Sequence, residues 1–271
     1  MKKVTLKSPA KVNLYLRIVG RRPDGYHQLD TIFHRVSLSD TLTLSKRSAG
    51  FSFSSNAQLP AREGNLLFKA YCELQKKIPK LKGVHAKLVK RIPIGAGLGG
   101  GSSNAAFFLL GMIKLYGLRI SNQELMKMGV RVGADVPFFL LQKSQAHARG
   151  IGEKLKAQIV KQKLYFLLLT DSRPLSTIAV YRHYREQNAG FSKASRNSIE
   201  LVNDLQSAAV ALRSSIKKSL TALIRYGAES VLMSGSGPTV FSVSESEKQI
   251  KRLSQMLPSR LRNRAILCHS L

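Results

Sequence analysis

The chain has 271 residues, 44% of them hydrophobic, which is enough for a large core and two subdomains and too much for a disordered chain. No run of 18 apolar residues occurs, so no membrane-spanning helix is expected. The start, Met1-Lys2-Lys3-Val4-Thr5-Leu6, lacks the apolar segment of a signal peptide. Lys and Arg number 44 against 15 Asp and Glu, a formal net charge of +29, which points to anionic partners: nucleic acid, a membrane surface or small polyanions.

The densest basic cluster is Lys76, Lys77, Lys80, Lys82, Lys87, Lys90 and Arg91. It lacks the interleaved aromatic rings of a single-strand binding groove. We therefore read the charge as a solvated basic surface that also steers phosphorylated substrates, with no nucleic acid and no membrane as partner. Cys72 and Cys268 are not spaced as a metal pair. Cys72 falls in a helical pattern and reads as a buried thiol, so a reducing cytoplasm is the expected location.

In chain order, residues 3–7 and 11–19 alternate as strands. Lys11 and Asn13 are two apart and share a strand face, either at a solvent edge or lining a polar pocket. Arg21-Arg22-Pro23-Asp24-Gly25-Tyr26-His27 is a turn by its Pro-Asp-Gly core, and its tip is either a plain hairpin or a ligand contact. Strand patterns continue at 31–38, 41–44 and 51–53. Asn65 opens an amphipathic helix running to about Lys77, and residues 84–92 form the next strand.

That strand feeds Pro93-Ile94-Gly95-Ala96-Gly97-Leu98-Gly99-Gly100-Gly101-Ser102-Ser103-Asn104-Ala105-Ala106. A glycine-rich loop at a helix N-terminus presents unpaired N–H groups with no Cβ in the way, and the helix dipole adds positive charge there. Together these suit a phosphate. A plain strand–helix turn needs one glycine, and here five fall within seven residues. The loop is not a Walker loop, because no lysine precedes Ser102 and Ser103. It is not a dinucleotide fingerprint either: Gly95, Gly97 and Gly100 fit the glycine spacing, but a second helix follows where a strand ending in an acid is required. The catalytic motifs of protein kinases are absent.

The next helix is apolar on all sides from Ala105 to Leu115, so burial is expected, with Gly117 as its stop. Ser121-Asn122-Gln123-Glu124 is a capping box for a helix ending near Gly133. Asp135 then stands before Val136-Pro137-Phe138-Phe139-Leu140-Leu141. It reads either as an N-cap or as a carboxylate available to a substrate hydroxyl. Residues 143–156 read as a basic loop and short strand. Further elements are a strand at 163–170, a helix at 177–186, a helical region at 196–226, strands at 230–234 and 239–243, a helix at 245–257 and a strand at 264–269. This order approximates β-α-β-β-α-β, the split βαβ arrangement. Ser234-Gly235-Ser236-Gly237-Pro238 links the middle strands, either as a hairpin turn or as a diphosphate contact.

These motifs carry a family resemblance over nearly the whole chain. Ser8 to Leu14, Arg22 to His27, Asn65-Leu66-Leu67, Pro93 to Ala106, Gly133 to Phe138, Asn203-Asp204-Leu205 and Met233 to Gly237 together resemble the 4-diphosphocytidyl-2-C-methyl-D-erythritol kinases. That family lies within the galactokinase–homoserine kinase–mevalonate kinase–phosphomevalonate kinase (GHMP) superfamily. The resemblance implies an α+β fold of two domains. The first, residues 1–155, is an ATP-binding domain with a mixed β-sheet and helices, like domain 2 of ribosomal protein S5. The second, residues 156–271, is ferredoxin-like with a split βαβ order.

The resemblance also implies ATP-dependent phosphorylation of the acceptor's 2-hydroxyl, giving the 2-phosphate, in the non-mevalonate route to isopentenyl diphosphate. A kinase for another small alcohol, such as mevalonate or homoserine, is the alternative. By position Asp135 matches the family's catalytic acid–base residue and Lys11 its catalytic lysine. Pro93, Ile94, Gly95, Ala96, Gly97, Leu98, Gly99, Gly100, Gly101, Ser102 and Ser103 match the ATP phosphate loop. Asn65 falls where the family approaches the nucleotide. Tyr26, His27 and Tyr181 fall where it holds the cytosine. Asn13, Thr177, Gly235 and Ser236 fall beside the acceptor. ATP and Mg²⁺ are the implied co-substrate and cofactor, with no protein metal ligands assigned, and a monomer or weak homodimer is implied. The chain departs from the family at Lys143-Ser144, where a glycine pair is common.

Overall fold

The computed structural model describes residues 2–60, 62–187, 190–193 and 201–271. Two long strands, β1 (Lys3–Arg21) and β2 (His27–Arg47), open the chain. They are followed by β3 (Phe51–Ser55), α1 (Leu66–Lys77), β4 (Gly83–Val89), α2 (Gly100–Tyr116), α3 (Asn122–Val132) and α4 (Val136–Leu140). Next come β5 (Gln145–Gly150), β6 (Lys154–Gln158), β7 (Tyr165–Leu169), α5 (Thr177–Glu186), β8 (Val202–Asn203), α6 (Gln206–Leu212) and α7 (Ser214–Arg225). The chain closes with β9 (Val231–Met233), β10 (Val240–Ser244), α8 (Glu247–Met256), α9 (Ser259–Arg262) and β11 (Ala265–His269).

The chain folds into two compact units, each assembled from separated segments. The first comprises Met1–Ala10, Leu38–Ile92 and Gly99–Lys143, and the second Lys11–Ser37, Pro93–Leu98 and Ser144–Leu271.

In the first unit β3 runs parallel to β4, from the Phe51–Val84 pair to Ser55–Leu88. The second half of β2 pairs antiparallel with β4, from Thr41–Val89 to Arg47–Gly83. The start of β1 lies beside β2, where Lys7 Nζ donates to Thr41 Oγ1 at 2.9 Å. Four helices complete the unit. Helix α2 is apolar all round and buries Ala105, Ala106, Phe108, Leu109, Met112 and Leu115. It approaches the sheet closely at Gly111, where a Cβ would fall 2.6 Å from Leu44 Cδ1 and 2.9 Å from Leu6 Cδ1. Any side chain there would force the layers apart.

In the second unit the first half of β2 pairs antiparallel with β5, from Leu29–Gly150 to His34–Gln145, and β5 forms a hairpin with β6. A four-stranded sheet has the order β11-β7-β10-β9, with each neighbouring pair antiparallel. Numbered within that domain the order is 4-1-3-2, as the split βαβ pattern requires. Central β7 buries Phe166, Leu167, Leu168 and Leu169, each at most 1% exposed. Each such side chain contributes about 1.5–3 kcal/mol of transfer free energy. Helices α5 to α8 cover one face of this sheet through Val180, Tyr184, Ala208, Ile216, Leu223, Ile250 and Leu253.

Several elements differ from expectation. Residues 3–7 and 11–19 belong to one strand, and so do 31–38 and 41–44. Ser8 to Leu16 are all buried, and burial against neighbouring strands overrides the break that Pro9 suggests. The helical region read at 196–226 is a short strand and two helices, with 196–200 outside the described residues. Val202 and Asn203 instead pair with Tyr15 and Leu16 of β1. Neither cysteine forms a disulfide among the described residues, and Cys72 is half-buried where a buried thiol was expected. Among the described residues no helix is long and apolar enough to cross a membrane.

Candidate active site

The glycine loop meets α2 one residue after its left-handed turn. Gly99 occupies the N-cap with φ 66°, and no side chain caps the helix. The helix itself starts at Gly100 and not at Ala105, since the last two glycines form its first turn. The N–H groups of Gly100, Gly101 and Ser102 are therefore presented without a competing side chain, where the helix dipole is positive. The Ser103 hydroxyl is fully buried and has no hydrogen-bond partner. Such an orphan is expected where a ligand completes the site. Strand β4 stops at Val89, three residues short of the expected Ile92. The Arg91 and Ile92 amides turn instead to Asp40 Oδ1, at 2.7 and 2.8 Å.

Asp135 belongs to the same unit. It stands at the N-cap position of α4, with Pro137 behind it, yet its carboxylate makes no capping hydrogen bond. The cap reading is thus realised by position and not by chemistry. The turn that carries it runs close to the start of α2: a Cβ at Gly133 would lie 3.8 Å from Ser102 Oγ. Asn65 is spent on local structure. Its Oδ1 accepts from Leu67 N at 2.9 Å as the α1 cap, and its Nδ2 donates to Pro60 O at 2.7 Å.

In the second unit Lys11 is 4% exposed, and its ammonium donates to Asn13 Oδ1 at 2.7 Å. Asn13 Nδ2 donates to Thr31 Oγ1 at 2.8 Å, and Thr31 Oγ1 donates onward to the Tyr15 carbonyl. The Lys11 ammonium also lies 5.0 Å from the Phe33 ring centroid. The same-face reading of Lys11 and Asn13 therefore becomes a buried polar pair and not a solvent edge.

The first half of the loop is pinned around this pair. Lys11 N donates to Leu98 O at 3.0 Å, Ser234 Oγ to Gly97 O at 3.0 Å, and Leu175 N to Gly95 O at 3.3 Å. Gly235, with φ 57°, packs so closely that a Cβ would lie 3.3 Å from Asn13 Oδ1 and 3.4 Å from Lys11 Nζ. Asn203 Nδ2 holds that turn by donating to the Met233 and Gly235 carbonyls at 2.7 and 2.8 Å. Thr177 Oγ1 and Ser236 Oγ are 2.8 Å apart.

The Tyr26–His27 turn resolves into an aromatic group. His27 is buried, with Tyr181 5.0 Å away between ring centroids and Tyr184 edge-on at 6.1 Å. Burial, then the Arg185 and Arg21 cations, hold the His27 pKa below its ordinary value. Tyr26 is 63% exposed, which leaves its ring open to a stacking partner.

Thr31 in the second unit and Asp40 in the first hold candidate residues without having been singled out in the sequence. Their signal lies in spatial neighbours far along the chain, which no local pattern reveals.

Comparison with known proteins gives the family. The family described as GHMP kinases N terminal domain matches residues 65–143, and GHMP kinases C terminal matches residues 183–263. A 4-diphosphocytidyl-2-C-methyl-D-erythritol kinase of Syntrophus aciditrophicus (strain SB) is 40% identical over 92% of this chain and 93% of its own. One from Geobacter metallireducens is 39% identical over 95% of each chain. The crystal structure of a 4-(cytidine 5'-diphospho)-2C-methyl-D-erythritol kinase superposes with a TM-score of 0.83 at 34% identity, covering 98% of this chain and 99% of the other. A homoserine kinase from Cytophaga hutchinsonii shares the fold at a TM-score of 0.71 and 16% identity, covering 100% of this chain and 95% of the other. With its glycine-loop helix, buried lysine and split βαβ sheet in place, the chain belongs to the 4-diphosphocytidyl-2-C-methyl-D-erythritol kinase family of the GHMP kinases.

Proposed function

We propose that the chain transfers the γ-phosphoryl group of ATP to the 2-hydroxyl of 4-diphosphocytidyl-2-C-methyl-D-erythritol, giving the 2-phosphate and ADP in the non-mevalonate route to isopentenyl diphosphate. The observation that carries phosphoryl transfer is the uncapped N-terminus of α2, reached through glycines with φ of 62°, 75° and 66° at positions 95, 97 and 99. The acceptor is taken from what the relatives are named for.

The chemistry asks little covalent work of the protein. The acceptor oxygen forms a bond to the γ-phosphorus, the bond from that phosphorus to the ADP oxygen breaks, and the hydroxyl proton leaves to a base. A tertiary alcohol has a very high pKa and needs a base within hydrogen-bond reach. Asp135 takes this proton in our reading. Its carboxylate stands at a helix start without serving as a cap, which is consistent with that role. Lys11, oriented by Asn13, supplies positive charge for the negative charge that develops. The N–H groups of Gly100 to Ser102 orient the phosphates, and the loop glycines let them approach. His27, with its neutral ring favoured, reads the cytosine edge, while Tyr26 and Tyr181 offer stacking faces.

Mg²⁺ enters this reading with the nucleotide and neutralises phosphate charge when bound. Among the described residues no three His, Cys, Asp or Glu side chains cluster to hold a metal. The buried, unpartnered Ser103 hydroxyl fits a ligand of such an ion, with phosphate oxygens and water as the rest. A cytoplasmic monomer or weak homodimer is the state we propose.

The test is ADP release with ATP, Mg²⁺ and the cytidine-bearing acceptor, beside the same acceptor without its cytidine. Turnover is expected only with the first. In Asp135→Asn the turnover falls by about 10²–10⁴-fold, the usual span for a general base, while ATP binding is retained. Normal turnover in that variant removes Asp135 from the reaction. No turnover with either acceptor by a chain that binds ATP redirects the search to other alcohols.

A further inference from the structure

We propose that Asp40 is a positioning residue for ATP: it clamps both ends of the phosphate loop and so fixes the N–H groups of Gly100 to Ser102 before the nucleotide arrives. The proposal rests on the reading of that loop as the ATP phosphate site.

Asp40 lies on β2, within the first unit, and is fully buried. A buried carboxylate costs several kcal/mol unless donors surround it. Here every donor comes from the two flanks of the loop. On the incoming side Oδ1 accepts from Arg91 N at 2.7 Å and Ile92 N at 2.8 Å, the two amides immediately before Pro93. Lys90 Nζ forms an ion pair with Oδ2. On the outgoing side Asn104 Nδ2 donates to Oδ2 at 2.9 Å, and Asn104 directly follows Ser103. Asn104 Nδ2 donates also to Ser8 Oγ at 2.8 Å, which ties the same point to β1.

The loop needs such an external clamp. Five of its residues are glycines, which lock nothing by side-chain packing and have the widest conformational freedom to lose. An anion site made of backbone N–H groups works only if their directions are set in advance. One carboxylate that accepts from residues 91, 92 and 104 couples the strand exit to the first turn of the helix. Moving either end breaks a charge-assisted hydrogen bond inside a dry site.

Asp40→Asn separates this from a mere staple of the fold. Its Oδ1 can keep the two backbone donors, but its NH₂ then faces Lys90 Nζ and Asn104 Nδ2, both donors. Adding Asn104→Asp restores an acceptor opposite that NH₂ and returns the lost charge beside Lys90, whose Nζ is 3.5 Å from Asn104 Oδ1. The measurements are the dissociation constant of a non-hydrolysable ATP analogue, KM for ATP, KM for the acceptor, and Tm. Asp40→Asn is expected to weaken the analogue and raise KM for ATP about tenfold or more, with KM for the acceptor changed by less than about twofold.

The double variant should recover most of the ATP affinity. Unchanged ATP affinity in Asp40→Asn, or equal losses for both substrates that track Tm, overturns the proposal. Should Asp40→Asn fail to fold, Asn104→Ala removes the helix-side contact, together with the bonds to Ser8 and Lys90, but keeps the Arg91 and Ile92 contacts, and must show the same one-sided loss. Equal KM values there also overturn it. An unaltered chain that binds no ATP analogue brings down the phosphate-site reading itself, and this proposal with it.

Discussion

Lys11 carries an ammonium into a place only 4% exposed, and its cost is met by an oriented amide oxygen and an aromatic face. The alternation of residues 11–19 placed Lys11 and Asn13 on one face. It said nothing of Thr31, 18 residues further on, whose hydroxyl fixes which end of the Asn13 amide meets the lysine. His27 gives the pH prediction at this scale. Burial and the cations Arg185 and Arg21 depress its pKa, so the folded ring resists a proton that the unfolded chain accepts from 6.5 downward. Its contribution to stability is complete above pH 6.5 and is lost as pH falls through the depressed folded value. Once protonated, the ring has no acceptor nitrogen. KM for the cytidine-bearing acceptor should therefore rise on the acid side of 6.5, and His27→Gln should have a raised KM that no longer changes there. Parallel profiles in the two proteins would remove His27 from acceptor binding.

Among the elements, the capping box at Ser121 and Glu124, the stop at Gly117 and the helix 177–186 were legible because each depends on a few adjacent residues. Strand β8 was not legible: two residues held by β1 carry no periodicity of their own. A matched pair of substitutions shows the difference between a local and a shared element. Ser121→Ala removes the capping box and should cost about 1 kcal/mol, seen as a lower Tm with ATP affinity unchanged. Gly97→Ala places a Cβ against the Ser234 carbonyl oxygen and 3.0 Å from Gly237 O, at φ 75°. It should lower both Tm and ATP affinity, because the turn that must move also pins the loop. An ATP affinity that survives Gly97→Ala would show that the loop tolerates displacement.

For the whole molecule, the charge of +29 is less uniform than a solvated surface implies. Within the dense basic cluster Lys76 pairs with Glu73 at 2.6 Å, Lys77 pairs with Glu124, and Lys90 is buried against Asp40. Lys90 is thus part of the glycine-loop flank, its ammonium turned to Asp40. The remaining excess should steer anionic substrates. Raising ionic strength shortens the screening length from about 30 Å at 0.01 M to about 8 Å at 0.15 M. We expect kcat/KM to fall over that range mainly through KM, with kcat little changed. A flat response across that range would mean that the excess charge does not guide these substrates.

Local chemistry by itself determined that a glycine loop leads into a helix N-terminus, that Ser121 and Glu124 form a capping box, that α2 is buried, and the β-α-β-β-α-β order whose sheet runs 4-1-3-2. Glycine, proline, capping residues and apolar periodicity act within a few residues, so a linear reading contains them. Tertiary structure alone decided that 3–21 is one strand, that Asp135 stands at a helix start without capping it, and that Asn65 is spent as a cap. It alone placed Asp40 on both flanks of the loop and Thr31 behind Asn13. Those outcomes depend on burial and on donors supplied from distant parts of the chain. A polar side chain has several hydrogen-bonding choices of similar energy, and only its packed surroundings select among them.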